Sequence, residues 1–238
     1  SGRVSSGVVT VDGTEIMGLP EAAMRNIRSS KISLIFQEPA TSLNPVMTVG
    51  DQIVETILLH TPLRGDEARA KALDWLKKVG IPEPERRMKS FPFELSGGEK
   101  RRVAIAGVIA MDPDVLILDE PTAGLDPRGR DVLLSQIVNY HEVRHNTILL
   151  VSHSMEDIAR TADRILVMNG GKAAMFDETK KVFARGEELE RMGLRVPQIT
   201  KILAMLQKDG YPVETALTLE QAIRQLMPLL EEGGRTHG

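Results

Sequence analysis

The chain has 238 residues, enough for one large or two modest domains, and 42% of them are hydrophobic, which is ample for a buried core. Its 30 Lys and Arg residues nearly balance its 33 Asp and Glu residues, so the composition disfavours a nucleic-acid partner bound through bulk positive charge. Cysteine is absent, which excludes disulfides, thiol catalysis and thiolate metal sites.

Short β-branched segments bounded by turn residues predict the strands of the chain. In order, they are Val8–Val11, Ile32–Phe36, Val115–Leu118, Thr147–Val151 and Ile165–Met168. The turn Asn169-Gly170-Gly171 then directs the chain towards Lys172–Phe176. All these apolar runs are far shorter than the about 20 residues that cross a bilayer, so no membrane span is predicted.

Longer segments with one polar side predict helices between the strands. Asp66 is predicted to cap a helix that ends at Gly80-Ile81-Pro82. Asp126 and Pro127 provide a cap and a first-turn proline for another helix. Because helices alternate with nearly continuous apolar strands, we predict an α/β fold with a mainly parallel sheet covered on both faces.

The strand signal fades after about residue 185. Ile199 to Leu206 shows apolar residues at helical spacing, and Thr218-Leu219-Glu220-Gln221 has the form of a capping box. We therefore predict an α/β domain over residues 1–185 and a C-terminal helical accessory region over residues 186–238.

Two adjacent carboxylates, Asp119 and Glu120, follow the apolar strand Val115–Leu118. Ligands bind at the carboxyl ends of strands in open α/β sheets. One carboxylate there can hold the Mg²⁺ that bridges nucleotide phosphates, and the other can orient or deprotonate an attacking water. Taken alone, the pair is also consistent with two solvated side chains where a buried strand reaches the surface.

Ser96-Gly97-Gly98 precedes the apolar-periodic run Val103 to Ile109 and therefore lies at a predicted helix N-terminus. Backbone N–H groups and the positive end of the helix dipole face outwards there, and glycine permits the close approach of an anion. Ser96 adds a hydroxyl donor, so the segment can bind a terminal phosphate. In isolation, the simpler interpretation of an ordinary capped helix is favoured.

Two single polar residues also follow predicted strands. Gln37 comes after Ile32–Phe36, and His153 comes after Thr147–Val151. Each is suited to contact a phosphate, a metal-bound water or an attacking water, although singly each is typical of a turn or a cap. The function is favoured by the conjunction of Gln37, Ser96, Asp119-Glu120, Asp126 and His153 in this order.

On these residues, and on the motifs Leu95–Glu99, Val115–Glu120 and Ala123–Asp126, the chain resembles the ABC-type ATPases. The resemblance implies an ABC-type, P-loop NTPase-like α/β fold that uses ATP and Mg²⁺. It implies the following roles: Gln37 contacts magnesium and senses the transmembrane partner, Ser96, Gly97, Gly98 and Glu99 belong to the signature motif, Asp119 binds magnesium, Glu120 is the catalytic glutamate, Asp126 closes the D-loop, and His153 is the switch histidine. Glu99 stands where glutamine is the commoner residue.

The resemblance spans almost the whole chain and changes along it. As far as about Pro92, segments such as Phe36-Gln37-Glu38-Pro39 resemble the ATPases of peptide and nickel importers. From Lys100 through Ser152-His153-Ser154 to the tail, the chain resembles the energy-coupling-factor ATPases that drive vitamin and metal-ion uptake.

The phosphate-binding pattern G-x-x-x-x-G-K-[ST] of such ATPases does not occur in the 238 residues. The one Gly-Lys pair, Gly171-Lys172, is followed by Ala173. In both subfamilies the phosphate loop precedes the segment that begins here with Ser1. We therefore expect an ABC ATPase domain truncated at its N-terminus, with a small helical tail, and little ATP hydrolysis by the chain alone.

Three functional interpretations follow. The first is the ATP-binding subunit of an ABC importer, of the energy-coupling-factor type or alternatively of the peptide and nickel type. Its partners are a second ABC ATPase subunit and transmembrane permease subunits at the cytoplasmic face of the membrane. The second is a non-catalytic partner that supplies only Ser96 to Glu99 and the D-loop in trans. A DNA-repair ABC protein is disfavoured, because long coiled-coil heptads and a basic face are absent.

Overall fold

A computed structural model describes residues 6–36 and 43–234 of the chain. It divides into two compact units, Ser1–Val151 and Ser152–Gly238. In the part of the chain that the structure describes, no helix is long and apolar enough to span a membrane.

The first unit is an α/β unit. Its strands are β1 (Thr10–Val11), β2 (Thr14–Glu15), β3 (Ile32–Ile35), β4 (Val115–Asp119) and β5 (Thr147–Val151). Its helices are α1 (Glu21–Ser30), α2 (Val49–His60), α3 (Gly65–Lys78), α4 (Pro84–Arg87), α5 (Gly97–Ile109) and α6 (Pro127–Arg144), with a 3-10 turn at Pro92–Glu94. β1 and β2 form a small antiparallel pair.

The central sheet is parallel, in the order β3-β4-β5. The predicted parallel α/β arrangement is therefore confirmed. One face of the sheet carries Ile35, Leu116 and Leu118, which are almost completely buried and belong to one apolar cluster with residues of α2, α3, α5 and α6. This cluster is the core of the unit, and β4, the middle strand of the sheet, packs against it.

Within residues 6–36 and 43–234, the opposite face of the sheet is largely exposed. Leu34, Ile117 and Leu149 lie in one row across the three strands. Leu34 and Leu149 are 43% and 52% exposed, and Val151 is 53% exposed. Among the described residues the sheet is therefore not covered on both faces as predicted, because the helices that build the core join the buried cluster on the Leu116 face.

Helix α3 begins earlier than predicted. Arg64, in an extended conformation, occupies the N-cap position, and the helix starts at Gly65. The prediction of Asp66 as the cap is wrong, because Asp66 lies inside the first turn. There its negative charge interacts favourably with the positive end of the helix dipole. The end of the helix agrees with the prediction: α3 stops at Lys78, and Gly80 follows with φ of 73°.

The second unit contains a hairpin and short helices. Its elements are α7 (Met155–Thr161), β6 (Arg164–Asn169), β7 (Lys172–Glu178), α8 (Thr179–Ala184), α9 (Gly186–Arg191), α10 (Gln198–Lys208) and α11 (Leu219–Gly234). β6 and β7 are antiparallel, and the positive φ angles of Gly170 and Gly171 make the turn between them. The Thr218 hydroxyl accepts a hydrogen bond from the Gln221 N–H at 3.3 Å, as expected of a helix cap.

Helices occupy the chain after residue 185, in keeping with the loss of the strand signal there. Leu203, Val213, Ala216 and Ala222 form a small core between α10 and α11. A domain boundary between residues 185 and 186 stays a prediction.

Candidate functional site

Asp119 is the last residue of β4, the middle strand of the sheet. It pairs with Val151, the last residue of β5, so both strands end at the same edge. Asp119 and Glu120 are half-buried. Two carboxylates therefore lie where the buried strand reaches solvent, which is where a parallel sheet binds its ligands.

Glu120 has an unusual backbone conformation. Its φ is 48°, and Pro121 follows it. Left-handed backbone is disfavoured for residues other than glycine, and a proline pushes the preceding residue towards extended conformations. Such a residue persists only where its surroundings determine its position, and residues of this kind cluster at functional sites.

Three hydrogen bonds determine the position of the Glu120 backbone. Its N–H donates to the Val151 C=O at 2.9 Å. Its C=O accepts from the Ala123 N–H at 3.2 Å and from Nη1 of Arg101 at 2.6 Å. The turn that carries the carboxylate is thus fastened to β5 on one side and to α5 on the other.

Ser96 is the N-cap of α5, which begins where the sequence predicts a helix N-terminus, and it forms a reciprocal capping box with Glu99. The Ser96 hydroxyl accepts from the Glu99 N–H at 3.2 Å. The Ser96 N–H and hydroxyl both donate to Oε2 of Glu99, each at 2.8 Å. Ser96 and Gly97 are exposed, so the helix N-terminus is open to an anion.

Glu99 is a buried carboxylate, only 8% exposed, beside two arginines. Nη2 of Arg87 lies 3.2 Å from Oε1 of Glu99. Burial by itself raises the pKa of Glu99, but the backbone and hydroxyl hydrogen bonds from Ser96, together with the charges of Arg87 and Arg102, outweigh burial and lower it. Glu99 therefore carries a negative charge at neutral pH, next to the place where a phosphate would bind.

The D-loop, Ala123–Asp126, packs against α5, the helix that begins within the signature motif. A Cβ atom added to Gly98 would lie 3.1 Å from Cδ2 of Leu125, whereas one added to Gly97 would meet no atom within 4 Å. The two glycines thus serve different purposes. Gly98 allows Leu125 to approach the helix, and Gly97 leaves open space in front of it, as a bound anion requires.

Asp126 occupies the N-cap position of α6, and Pro127 is the first residue of the helix, as predicted. The Asp126 carboxylate makes no capping hydrogen bond. Instead, a carboxylate oxygen of Asp126 and Nη1 of Arg102 each lie 2.6 Å from where a Cβ on Gly129 would be. Both side chains therefore lie over Gly129, where an added side chain would obstruct them.

The structure brings most of the predicted site together within the first unit. Ser96, Gly97, Gly98 and Glu99 start α5, which contacts both the Asp119-Glu120 turn and the D-loop with Asp126. His153 is exposed and belongs to the second unit, two residues after the end of β5. Gln37 lies outside the described residues. In residues 6–36 and 43–234, no three His, Asp or Glu side chains converge as a metal cluster.

The sequence reasoning missed the arginines of the site: Arg87, Arg101 and Arg102. A signal for two of them exists in the run Lys100-Arg101-Arg102 near the start of α5. Positive side chains are disfavoured near a helix N-terminus, so such a run suggests acceptors beyond the helix. Arg101 has such an acceptor in the Glu120 C=O. The 12-residue separation of Arg87 from Glu99 leaves no comparable pattern.

Comparisons with known proteins show the family of the chain. The family model described as ABC transporter matches residues 2–123. The energy-coupling factor transporter ATP-binding protein EcfA2 of Clostridium tetani is 42% identical over 94% of this chain and 76% of its own length. EcfA2 of Clostridium perfringens is 41% identical over 95% of this chain and 78% of its own length. The likeness to energy-coupling-factor proteins thus also includes the first half of the chain.

Solved structures share the fold. The structure of cbiO1 from Clostridium perfringens, described as part of the ABC transporter complex cbiONQ, has a TM-score of 0.65 and 33% identity, over 86% of this chain and 77% of its own. The ATP-binding cassette MJ0796, in a dimeric post-hydrolysis state bound to ADP and Pi, has a TM-score of 0.67 and 26% identity, over 74% of each chain. The chain therefore belongs to the ABC transporter family, within its energy-coupling-factor group of ATP-binding proteins.

Proposed function

We propose that the chain is the ATP-binding subunit of an energy-coupling-factor importer, which couples ATP hydrolysis to the uptake of a small solute such as a vitamin or a metal ion. One observation carries this proposal: the open, capped N-terminus of α5 adjoins the strained turn that bears Glu120, in a chain whose relatives are energy-coupling-factor ATP-binding proteins. The alternative is the ATP-binding subunit of a peptide or nickel importer.

The residues suit ATP and Mg²⁺. The Ser96 hydroxyl and the N–H groups at the start of α5 would contact a terminal phosphate, since nothing fills the space in front of Gly97. Asp119 would hold the magnesium ion, which would neutralise charge on the phosphates. Glu120 would orient the attacking water and accept its proton. His153, Gln37 and Asp126 would complete the site as the family resemblance implies.

The site requires partners. A helix N-terminus that presents Ser96 outwards can act on a nucleotide that a second ATPase subunit holds, so we propose a head-to-tail dimer with two composite sites. Transmembrane permease subunits would bind this dimer at the cytoplasmic face of the membrane. Nucleic acid is not a proposed partner.

A second candidate function follows from the sequence, which contains the complete signature motif but no G-x-x-x-x-G-K-[ST] pattern. The chain would then supply Ser96 to Glu99 and the D-loop to the nucleotide site of a partner without hydrolysing ATP itself. This function uses the same surface of α5.

The proposal is tested by measuring whether the chain associates with a second ATPase subunit. The chain is mixed with a phosphate-loop-containing ATPase of the same family, and sedimentation is measured with ATP, with ADP and without nucleotide. We expect a heterodimer that forms with ATP and dissociates with ADP. Association that does not depend on the nucleotide would contradict the proposal.

A further inference from the structure

Arg101 joins helix α5 to the turn that carries Glu120. Its Nη1 atom donates a hydrogen bond of 2.6 Å to the Glu120 C=O, across 19 residues of sequence, and the side chain is half-buried. Hydrogen bonds from a charged donor are among the stronger ones in proteins. The contact holds the peptide group of Glu120 and so constrains where its side chain starts.

The Glu120 turn depends on such support. Its φ of 48° and the following Pro121 make the conformation unfavourable by itself. Two of the bonds that hold it are backbone bonds, to Val151 and from Ala123. The bond from Arg101 is a side-chain bond that a substitution can remove, and it reaches the turn from the helix that carries the signature motif.

We infer that Arg101 is a positioning residue for hydrolysis. It holds the Glu120 peptide, and thereby the position of the Glu120 side chain, from the helix that would present Ser96 to the nucleotide of the partner subunit. This inference rests on the proposed function. Arg101 lies five residues after Ser96 on α5, about 7.5 Å along the helix axis.

The first experiment measures amide hydrogen exchange at Glu120 and Ala123 in the chain without nucleotide. Arg101→Ala should accelerate exchange at both amides several-fold, because the turn opens more often once the guanidinium is gone. Arg101→Lys should restore part of the protection. Arg69→Ala, which removes an exposed arginine of α3, is the matched control and should change nothing at these amides. Unchanged exchange in Arg101→Ala would overturn the inference.

The second experiment measures ATP hydrolysis by the protein assembled with its partner subunits. Arg101→Ala should lower kcat about ten- to a hundredfold and leave the KM for ATP within about twofold, as the loss of a positioning hydrogen bond predicts. Arg101→Lys should recover part of kcat, and Arg69→Ala should match the unmodified protein. Thermal unfolding of each variant confirms that it is folded.

A double substitution separates the positioning role of Arg101 from the proposed catalytic role of Glu120. In a Glu120→Gln background, Arg101→Ala should cause no further loss of hydrolysis, because both act through the same carboxylate. Additive losses, or a raised KM with an unchanged kcat, would overturn the role of Arg101 alone. If Glu120→Gln by itself leaves hydrolysis intact, the proposed function falls and the positioning role falls with it. Faster exchange in Arg101→Ala would then show only that Arg101 stabilises the turn.

Discussion

The Glu99 carboxylate accepts hydrogen bonds from both the N–H and the hydroxyl of Ser96, each at 2.8 Å. The hydroxyl that would bind a phosphate is therefore already directed at a carboxylate within its own helix. An incoming phosphate has to redirect that hydroxyl and approach a negative charge that Arg87 and Arg102 partly neutralise. The capping box thus stabilises α5 and, under the proposed function, would set how readily its N-terminus accepts a phosphate.

Removing the cap should destabilise the chain. Ser96→Ala abolishes the acceptor of the Glu99 N–H and should lower the free energy of unfolding by about 1 kcal/mol. Ser96→Asn should retain most of the stability, because asparagine caps helices about as well as serine. Urea unfolding measures both variants. A Ser96→Ala variant as stable as the unmodified chain would show that the capping box contributes nothing.

Acid should weaken this region. The pKa of Glu99 is lower in the folded chain than in the unfolded chain, so Glu99 stabilises the fold fully above its unfolded-state pKa. That contribution is lost as the pH falls through the folded-state pKa, below the ordinary range of a glutamate. Glu99→Gln should therefore flatten the loss of stability in this acidic range. Thermal unfolding across the range tests this, with the exposed Glu142→Gln as control. Equal acid profiles for all three proteins would refute it.

Two glycine substitutions should have opposite effects. A Cβ on Gly50 would lie 2.6 Å from the Met88 carbonyl oxygen, so Gly50→Ala should destabilise by about 1 to 3 kcal/mol through overpacking. On Gly107, within α5, a Cβ would make an ordinary contact of 3.8 Å with Ile53. Gly107→Ala should therefore stabilise by about 0.5 to 1 kcal/mol through helix propensity. Chemical unfolding of both decides, and a shift of the same sign in the two variants would disprove the packing described here.

A polypeptide of these 238 residues should hydrolyse ATP negligibly by itself. These residues contain no G-x-x-x-x-G-K-[ST] phosphate-loop pattern, whose lysine and backbone N–H groups would donate hydrogen bonds to the phosphates. Without three such bonds, of about 1.5 to 3 kcal/mol each, nucleotide binding would weaken by about 5 to 9 kcal/mol. Glu120→Gln should then change almost nothing in the isolated chain, and a phosphate-release assay measures both proteins. Robust magnesium-dependent hydrolysis that Glu120→Gln abolishes would contradict this prediction.

Much of the site could be predicted because it depends on local patterns. The end of β4 at Asp119, the cap at Ser96 and the Asp126-Pro127 start of α6 all follow from neighbouring residues. Patterns of this kind specify where elements begin and end. They also specify which side chains emerge at the edge of a parallel sheet.

The rest depends on contacts between distant segments. Arg101 reaches the Glu120 C=O only because the turn after β4 folds back towards α5, which the sequence does not encode locally. The side chain of Asp126 lies over Gly129 and makes no capping hydrogen bond, a placement that the local pattern does not encode. The exposure of Leu34 and Leu149 was not predicted either, because nearly continuous apolar strands favour a sheet covered on both faces.

The central claim is that the N-terminus of α5 completes the nucleotide site of a partner. Its most direct test measures the ATPase rate of a phosphate-loop-containing partner of the same family, alone and with this chain added. We predict that the unmodified chain raises the rate and that Ser96→Arg, checked to be folded, removes the effect by placing a bulky side chain where the phosphate binds. A partner rate that the chain leaves unaffected, or stimulation by Ser96→Arg equal to that of the unmodified chain, would contradict the account.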